Sequence, residues 1–180
     1  MDPATGLRFL RTGDLGYLDE DNFLYISGRI KEQFKLQNGK FVSPSPLEDT
    51  YNRSPYISQT VVCGADREYN VGLISPEVME LKRWAGENGV AFPSSSSEFD
   101  AFYSDAAVIA LISAELQRFE SEINSYERIR AWAFIEPLTP ENDLLTQKMS
   151  LKRHNISKVH ADTIDAIYAH EKGNRLERVL

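Results

Sequence analysis

The sequence predicts an α+β fold: a small antiparallel sheet with flanking helices, preceded by a β-hairpin. Three observations carry this. Short apolar-aromatic runs broken by turn residues open the chain. A long apolar stripe at helical spacing covers about residues 105–124. A continuous apolar segment, IRAWAFI, follows at 129–135. There is no internal repeat.

Residues 7–29 read as β structure, with LRFL, GYL and FLYI as strand-like runs and Asp19-Glu20-Asp21-Asn22 as the turn between the last two. Residues 33–42 repeat the pattern, FKL and KFV lying on either side of Gln37-Asn38-Gly39, a strong hairpin signal. Ser45-Pro46-Leu47-Glu48 then predicts a helix to about residue 53. Ser45 is its N-cap, Pro46 its first residue, and Glu48 the acid that closes a capping box. Two strands are expected at 57–63 (ISQTVVC) and 69–74 (YNVGLI), with Gly64 beginning the turn between them. Ser75-Pro76-Glu77 caps a second helix that places Val78, Leu81 and Ala85 on one face and stops at Asn88-Gly89. FPSSSSE, 92–98, reads as a surface loop. The helix at about 105–124 aligns Val108, Ile112, Leu116, Phe119 and Ile123. After the strand at 129–135 and a turn-rich loop at 137–143, a last amphipathic helix over about 156–170 turns Val159, Thr163 and Ile167 inward.

A length of 180 residues suits one domain, or one domain plus a piece of another. With 42% hydrophobic and 26% charged residues, the chain belongs to the soluble globular class. The net charge of −7 argues against nucleic acid or an anionic membrane as the main partner, since both require a cationic face. A single cysteine, Cys63, excludes an internal disulfide framework and points to a reducing compartment. No apolar run is long enough to span a bilayer, and MDPATGLRF lacks the apolar core of a secretory signal. The chain starts almost directly in a strand-like segment, so a fragment of a longer polypeptide is expected.

Few residues suggest chemistry by themselves. Asp14, beside Gly13 at the start of a hairpin, can accept hydrogen bonds from vicinal hydroxyls such as those of a ribose. Arg29 ends a strand and carries a fork of donors suited to phosphate or ribose oxygens. Lys31, Lys35 and Lys40 flank the second hairpin, where lysines serve as a solvated edge. TQKMSLKRH, 146–154, puts Lys148, Lys152 and Arg153 near a helix start, an arrangement that favours an anion. Glu48 is read as a capping residue. His154, His160 and His170 form no i, i+4 pair and no Cys or acid completes a ligand set, so no metal site is expected. Cys63, Trp84 and Trp132 read as packing residues.

Order and spacing say more than any single motif. FLRTGDLGYLDEDNFLYISGRIKEQFKLQNGKFVSP resembles the junction region of adenylate-forming enzymes (the acyl-CoA synthetase superfamily). FKLQNGKFVSP favours the branch of long-chain fatty-acid–CoA ligases, and LLTQKMSLKR is similar to the family's C-terminal lysine loop. The resemblance covers almost the whole chain, residues 90–103 contributing little. It implies a two-step reaction. A carboxylate attacks the α-phosphate of ATP to give an acyl-adenylate and pyrophosphate, and coenzyme A then forms the thioester.

The resemblance also implies a division of the chain. Residues 1–29 would be the terminal hairpin segment of a large adenylation domain, and 30–180 a mobile C-terminal lid. Asp14 would hold the ribose hydroxyls, Arg29 would lie near ribose and phosphates, and Lys31 would fall at the hinge. Residues 34–41, with Lys35 and the turn glycine Gly39, would face the active site during thioester formation. The chain departs from the family in the lysine loop. Aligned on Thr146 and Lys152-Arg153, the adenylation lysine falls on Ser150, which cannot supply its charge. In an extended loop Lys148, Ser150 and Lys152 share one side, each lysine about 6.6 Å from Ser150. Lys148 or Lys152 is therefore expected to substitute, Lys148 first, because Lys152 already matches a second basic position.

ATP and coenzyme A are implied, with magnesium as the partner of ATP at a site outside this chain. The implied partners are the N-terminal adenylation domain of the same polypeptide and, as substrates, fatty acid and coenzyme A. The isolated chain is expected to be inactive. Its expected location is cytoplasmic, and the resemblance is compatible with peripheral membrane association of the parent. Two other readings stay open: a non-catalytic nucleotide- or partner-binding module, and an acyl–acyl carrier protein ligase.

Overall fold

The computed structural model describes residues 6, 8 and 10–170. Of the strand expected at 7–10, residues 7 and 9 lie outside the described residues, and Arg8 and Leu10 are not in a strand. Strands β1 (Asp14–Leu18) and β2 (Leu24–Arg29) form an antiparallel hairpin in which Asp14 faces Arg29. The expected Asp19–Asn22 turn is present. Asp19 Oδ1 accepts from the backbone N–H groups of Asp21 and Phe23, and Asn22 takes the left-handed conformation that a tight turn demands. A 3₁₀ turn, Ile30–Glu32, leads into the second hairpin, β3 (Phe34–Lys35) with β4 (Phe41–Val42). Gly39 turns it at φ 86°, a conformation costly for a side-chain-bearing residue.

Helix α1 (Pro44–Tyr51) starts two residues earlier than its sequence signals suggest. Its N-cap is Ser43, and Pro44 rather than Pro46 takes the first helical position. Ser45 and Glu48 are therefore not a capping box. Both side chains turn toward other elements, and Glu48 is only 4% exposed.

The main sheet follows: β5 (Ile57–Cys63), β6 (Asn70–Pro76) and, after a helical crossover, β7 (Ile129–Phe134), in the order β5-β6-β7. The β5–β6 pair is antiparallel as expected, whereas β7 joins β6 in parallel, so the sheet is mixed. The long connection explains this. A strand returning after helices can run parallel to its neighbour, which a two-residue turn does not permit.

The crossover contains α2 (Val78–Asn88), α3 (Phe99–Tyr103) and α4 (Ala106–Arg118). Gly89 ends α2 in the left-handed conformation, as Asn88-Gly89 predicts. Helix α3 lies just past the expected loop and carries a small aromatic cluster in which the Phe92 and Phe102 rings are 5.2 Å apart. Asp105 caps α4 by accepting from Ala107 N–H. The helix stops at Arg118, but a 3₁₀ turn at Glu120–Glu122 keeps Phe119 and Ile123 buried in the predicted stripe.

The single helix expected over 156–170 is two, α5 (Arg153–Val159) and α6 (Ala161–His170). They are offset at His160, although hydrogen bonds from His160 N–H to Ile156 O and from Ile164 N–H to His160 O run through the offset. The offset rotates the face. Ile156 and Ile167 are buried, while Val159 is exposed.

Helices cover both faces of the main sheet. Val62, Ile74 and Trp132 pack with Leu81, Ile112 and Leu116 on one side. Val61, Leu73 and Ala133 pack with Ile156 and Ile167 on the other. Alternate residues of each strand supply the two layers. Among the described residues, no helix is long and apolar enough to cross a membrane.

Candidate functional site

A cleft of about 570 Å³ opens between the β1–β2 hairpin, α1, the edge of β5 and the loop before α5. Asp14 and Arg29 of one hairpin and the distant Ser150 line it together. Lys31, Lys35, Gly39, Lys148 and Lys152 do not. Lys31 lies on the 3₁₀ turn, and Lys35 and Gly39 on the second hairpin.

The cross-strand register brings Arg29 Nε to 3.2 Å from Asp14 Oδ1. Both groups are accessible enough to exchange this exposed ion pair for a ligand, since such pairs contribute little. Three buried side-chain oxygens of the cleft residues, Asn52 Oδ1, Gln59 Oε1 and Thr60 Oγ1, have no hydrogen-bond partner among the described residues. Thr60 is 0% exposed. Two amide carbonyls and a hydroxyl are suited to receiving hydroxyl or amine donors. The charged lining comprises four carboxylates (Asp14, Glu32, Glu48, Asp49) and two guanidiniums (Arg29, Arg153). This suits a hydroxyl-bearing ligand better than a polyanion, which would need cations from elsewhere.

The loop with the basic cluster is not extended. Leu145 and Leu151 form an antiparallel bridge, and Lys152 N–H donates to Leu144 O at 2.9 Å. Within the turn, Met149 N–H donates to Thr146 O at 2.9 Å and Thr146 N–H to Ser150 O at 2.8 Å. Met149 adopts φ 61°. In a closed turn, side chains do not alternate as in a strand, so the expected alignment of Lys148, Ser150 and Lys152 on one side does not hold. Lys152 Nζ is hydrogen-bonded to Asp143 Oδ1, and Asn155 Nδ2 donates to Asp143 Oδ2 at 2.8 Å. Lys148 is exposed on the turn.

Beneath the loop lies a charged network that the sequence reading did not identify. Arg153 forms a two-pronged pair with Glu48, Nη1 to Oε1 at 2.7 Å and Nη2 to Oε2 at 2.6 Å. Its Nη2 also donates to Ser45 Oγ at 3.1 Å, and its Nε to Glu32 Oε2 at 3.3 Å. Ser45 Oγ donates to Glu32 Oε2 at 2.9 Å, and Val62 N–H to Glu48 Oε1 at 2.9 Å. Burial works against the Arg153 charge, but hydrogen bonds and charge from Glu48 and Glu32 outweigh it, so its pKa is raised. Burial above all, with the Glu48 charge behind it, pushes the nearby Cys63 thiol up to about 12, which keeps it protonated and unreactive. A carboxylate sharing a basic residue across 105 positions leaves no periodic signal in sequence. Neither do the unpaired oxygens of Asn52, Gln59 and Thr60.

Known proteins resemble this chain in sequence and in fold. Residues 31–172 match the family described as AMP-binding enzyme C-terminal domain. A long-chain-fatty-acid–CoA ligase of Mycobacterium tuberculosis, FadD15, is 33% identical over 164 residues, covering 91% of this chain and 27% of the ligase. Long-chain-fatty-acid–CoA ligase 5 of Mus musculus is 30% identical, covering 89% and 23%. The chain thus spans about a quarter of the length of these relatives. Among solved structures, the adenylation domain of a carboxylate reductase from Mycobacterium chelonae superposes with a TM-score of 0.70 at 29% identity, over 88% of this chain and 23% of that one. The adenylation domain of a carboxylic acid reductase from Segniliparus rugosus, solved with AMP and a co-purified carboxylic acid, gives 0.68 at 27% identity, over 88% and 23%.

Proposed function

The chain belongs to the AMP-binding enzyme C-terminal domain family, and from that premise we propose that it is the lid of an ATP-dependent long-chain fatty-acid–CoA ligase. The observation that carries this is the convergence of Asp14, Arg29 and the Thr146–Ser150 turn on one cleft. Residues 1–29 then end the large adenylation domain and 30–180 form the lid, a boundary supported by a family match that starts at residue 31.

In this reading Asp14 accepts the ribose hydroxyls of ATP, and Arg29 leaves its ion pair to donate to ribose or phosphate oxygens. The net-negative lining leaves the triphosphate, with its magnesium, to the larger domain. Lys31 moves with the hinge, and the hairpin carrying Lys35 and Gly39 approaches the site when coenzyme A reacts. Lys148 supplies the charge that Ser150 cannot, because Lys152 is held by Asp143. As charge builds on the attacked α-phosphate, an ammonium brought in by the loop stabilises it. The resulting acyl-adenylate passes its acyl group to the thiol of coenzyme A and releases AMP. The parent works in a reducing, cytoplasmic compartment, consistent with the unpaired Cys63.

The test is fatty-acid-dependent ATP–pyrophosphate exchange by the full-length parent. Lys148→Ala should lower exchange by about 100-fold or more, the scale of losing one preorganised electrostatic contact. Lys152→Ala should lower it by less than about tenfold, since that charge is already paired at the surface. The uncharged Ser150 favours one competing reading, a non-catalytic nucleotide-binding module. A folded parent that binds ATP yet shows no exchange with any fatty acid would establish that reading instead.

A further inference from the structure

The Arg153 network joins pieces of chain that local sequence keeps apart, and it spans the two walls of the cleft. On one wall, Ile30 N–H donates to Gly13 O at 2.8 Å, tying the 3₁₀ turn to the residue before Asp14. Glu32, at the end of that turn, receives Arg153 Nε and Ser45 Oγ. On the other wall, Arg153 is the first residue of α5 and follows the closed turn directly. Ser150 is three residues upstream, and the Lys152–Leu144 and Thr146–Ser150 hydrogen bonds make the turn one closed unit. Glu48 fixes the guanidinium from below through two short hydrogen bonds and is itself pinned by Val62 N–H. The plane of the guanidinium cannot swing without breaking a buried pair.

We propose that Arg153 is a positioning residue, which with Glu32 forms a tether setting, in the lid orientation of this structure, the distance between the Thr146–Ser150 turn and the Asp14–Arg29 wall of the cleft. The two acids divide the work. Glu48 holds Arg153 in the fold, and Glu32 passes its position to the turn that leads back to Asp14. A lysine at 153 would keep the charge beside Glu48. It would lose the planar fork that reaches Glu48, Ser45 and Glu32 together. The catalytic part of the proposal rests on the lid reading above, because it assigns the turn the task of delivering charge to the reaction.

The experiment has two arms. In the first, amide hydrogen exchange of this chain is compared with that of Glu32→Ala and Arg153→Lys. Both variants keep a cation beside Glu48, and Glu32→Ala in particular leaves the Glu48–Arg153 pair whole. The Thr146 and Met149 amides, bonded within the turn, should exchange about tenfold faster, while β6 amides do not change. In the second arm, Glu32→Ala in the full-length parent should lower kcat for ATP–pyrophosphate exchange about tenfold, with the KM for ATP changed less than twofold, as expected when a reacting group is misplaced and binding is retained. Thioester formation from preformed acyl-adenylate should be spared. Unchanged loop exchange in variants whose thermal unfolding is unaltered overturns the tether, whatever the fate of the lid reading. An equal fall in both half-reactions overturns the positioning role and leaves only a contribution to stability. Faster loop exchange beside a wild-type parent that catalyses no exchange supports the tether and defeats the lid reading.

Discussion

Strand β6 and the β1–β2 hairpin both carry branched apolar residues, yet their surroundings differ. Every residue of β6 is buried between two layers of helices. On the hairpin, Tyr17, Leu18, Phe23, Leu24 and Ile26 are exposed, Phe23 and Leu24 by 66% each. The hairpin holds itself with its ladder and with stacked Tyr17 and Tyr25 rings 5.4 Å apart. Two strands with bare faces are marginal on their own. The contrast teaches that composition states which residues gain from cover, whereas packing decides which receive it. Under the lid reading, the missing cover is the larger domain from which the hairpin comes.

The most severe way to test this contrast is to empty the covered sheet. Trp132 is 0% exposed and its Nε1 donates to Ser113 Oγ at 3.4 Å. Trp132→Ala should cost about 3–5 kcal/mol in urea unfolding of this chain, from lost burial plus the cavity left behind. A loss below about 1 kcal/mol would place the centre of stability elsewhere.

A smaller effect should come from acid, again in the covered region. His160 sits where α5 meets α6, with Nε2 buried and unpartnered among the described residues. Burial lowers its pKa below the ordinary 6.5, the Glu136 charge opposing the shift. The unfolded chain therefore binds the proton more tightly than the folded one. His160 costs no stability above pH 6.5 and progressively more as pH falls through that value toward the lower folded pKa. Urea midpoints measured on either side of that window should fall with acid, and less so in His160→Gln. Equal falls in both proteins would assign the acid sensitivity to carboxylates instead.

The smallest effect should come from the hairpin. Phe23→Ser and Leu24→Ser should each change the stability of this chain by less than about 0.5 kcal/mol, as exposed sites do. In the full-length parent the same pair should cost more, because the face would there be covered. A large loss in the isolated chain would show that the hairpin already packs against something within it.

Much of the architecture is legible in sequence because it is local. The Asn38-Gly39 turn, the left-handed Gly89 stop, the stripe through Val108, Ile112 and Leu116 and the apolar run of β7 each follow from neighbours within a few residues. The order of motifs that marks the family is likewise a property of the chain read in line. Two local readings failed, one to a distant group and one to the loop's own backbone. Glu48 has the spacing of a capping acid, but Arg153 gives it two charge-assisted hydrogen bonds where a cap gives one neutral N–H. The shared side of Lys148, Ser150 and Lys152 required an extended loop, but the Leu145–Leu151 bridge closes it into a turn.

The sequence by itself therefore determined the α+β class, the position of most elements and the placing of Asp14 and Arg29 on strand-like segments, all of them short-range consequences of periodicity and turn chemistry. Only the tertiary structure decided that β7 runs parallel, that Ser150 shares a cleft with Asp14, and that Arg153 joins the two walls. Those depend on which surfaces exclude water against each other and on charges that must find partners once buried, and a buried guanidinium takes the nearest carboxylate in space, not in sequence.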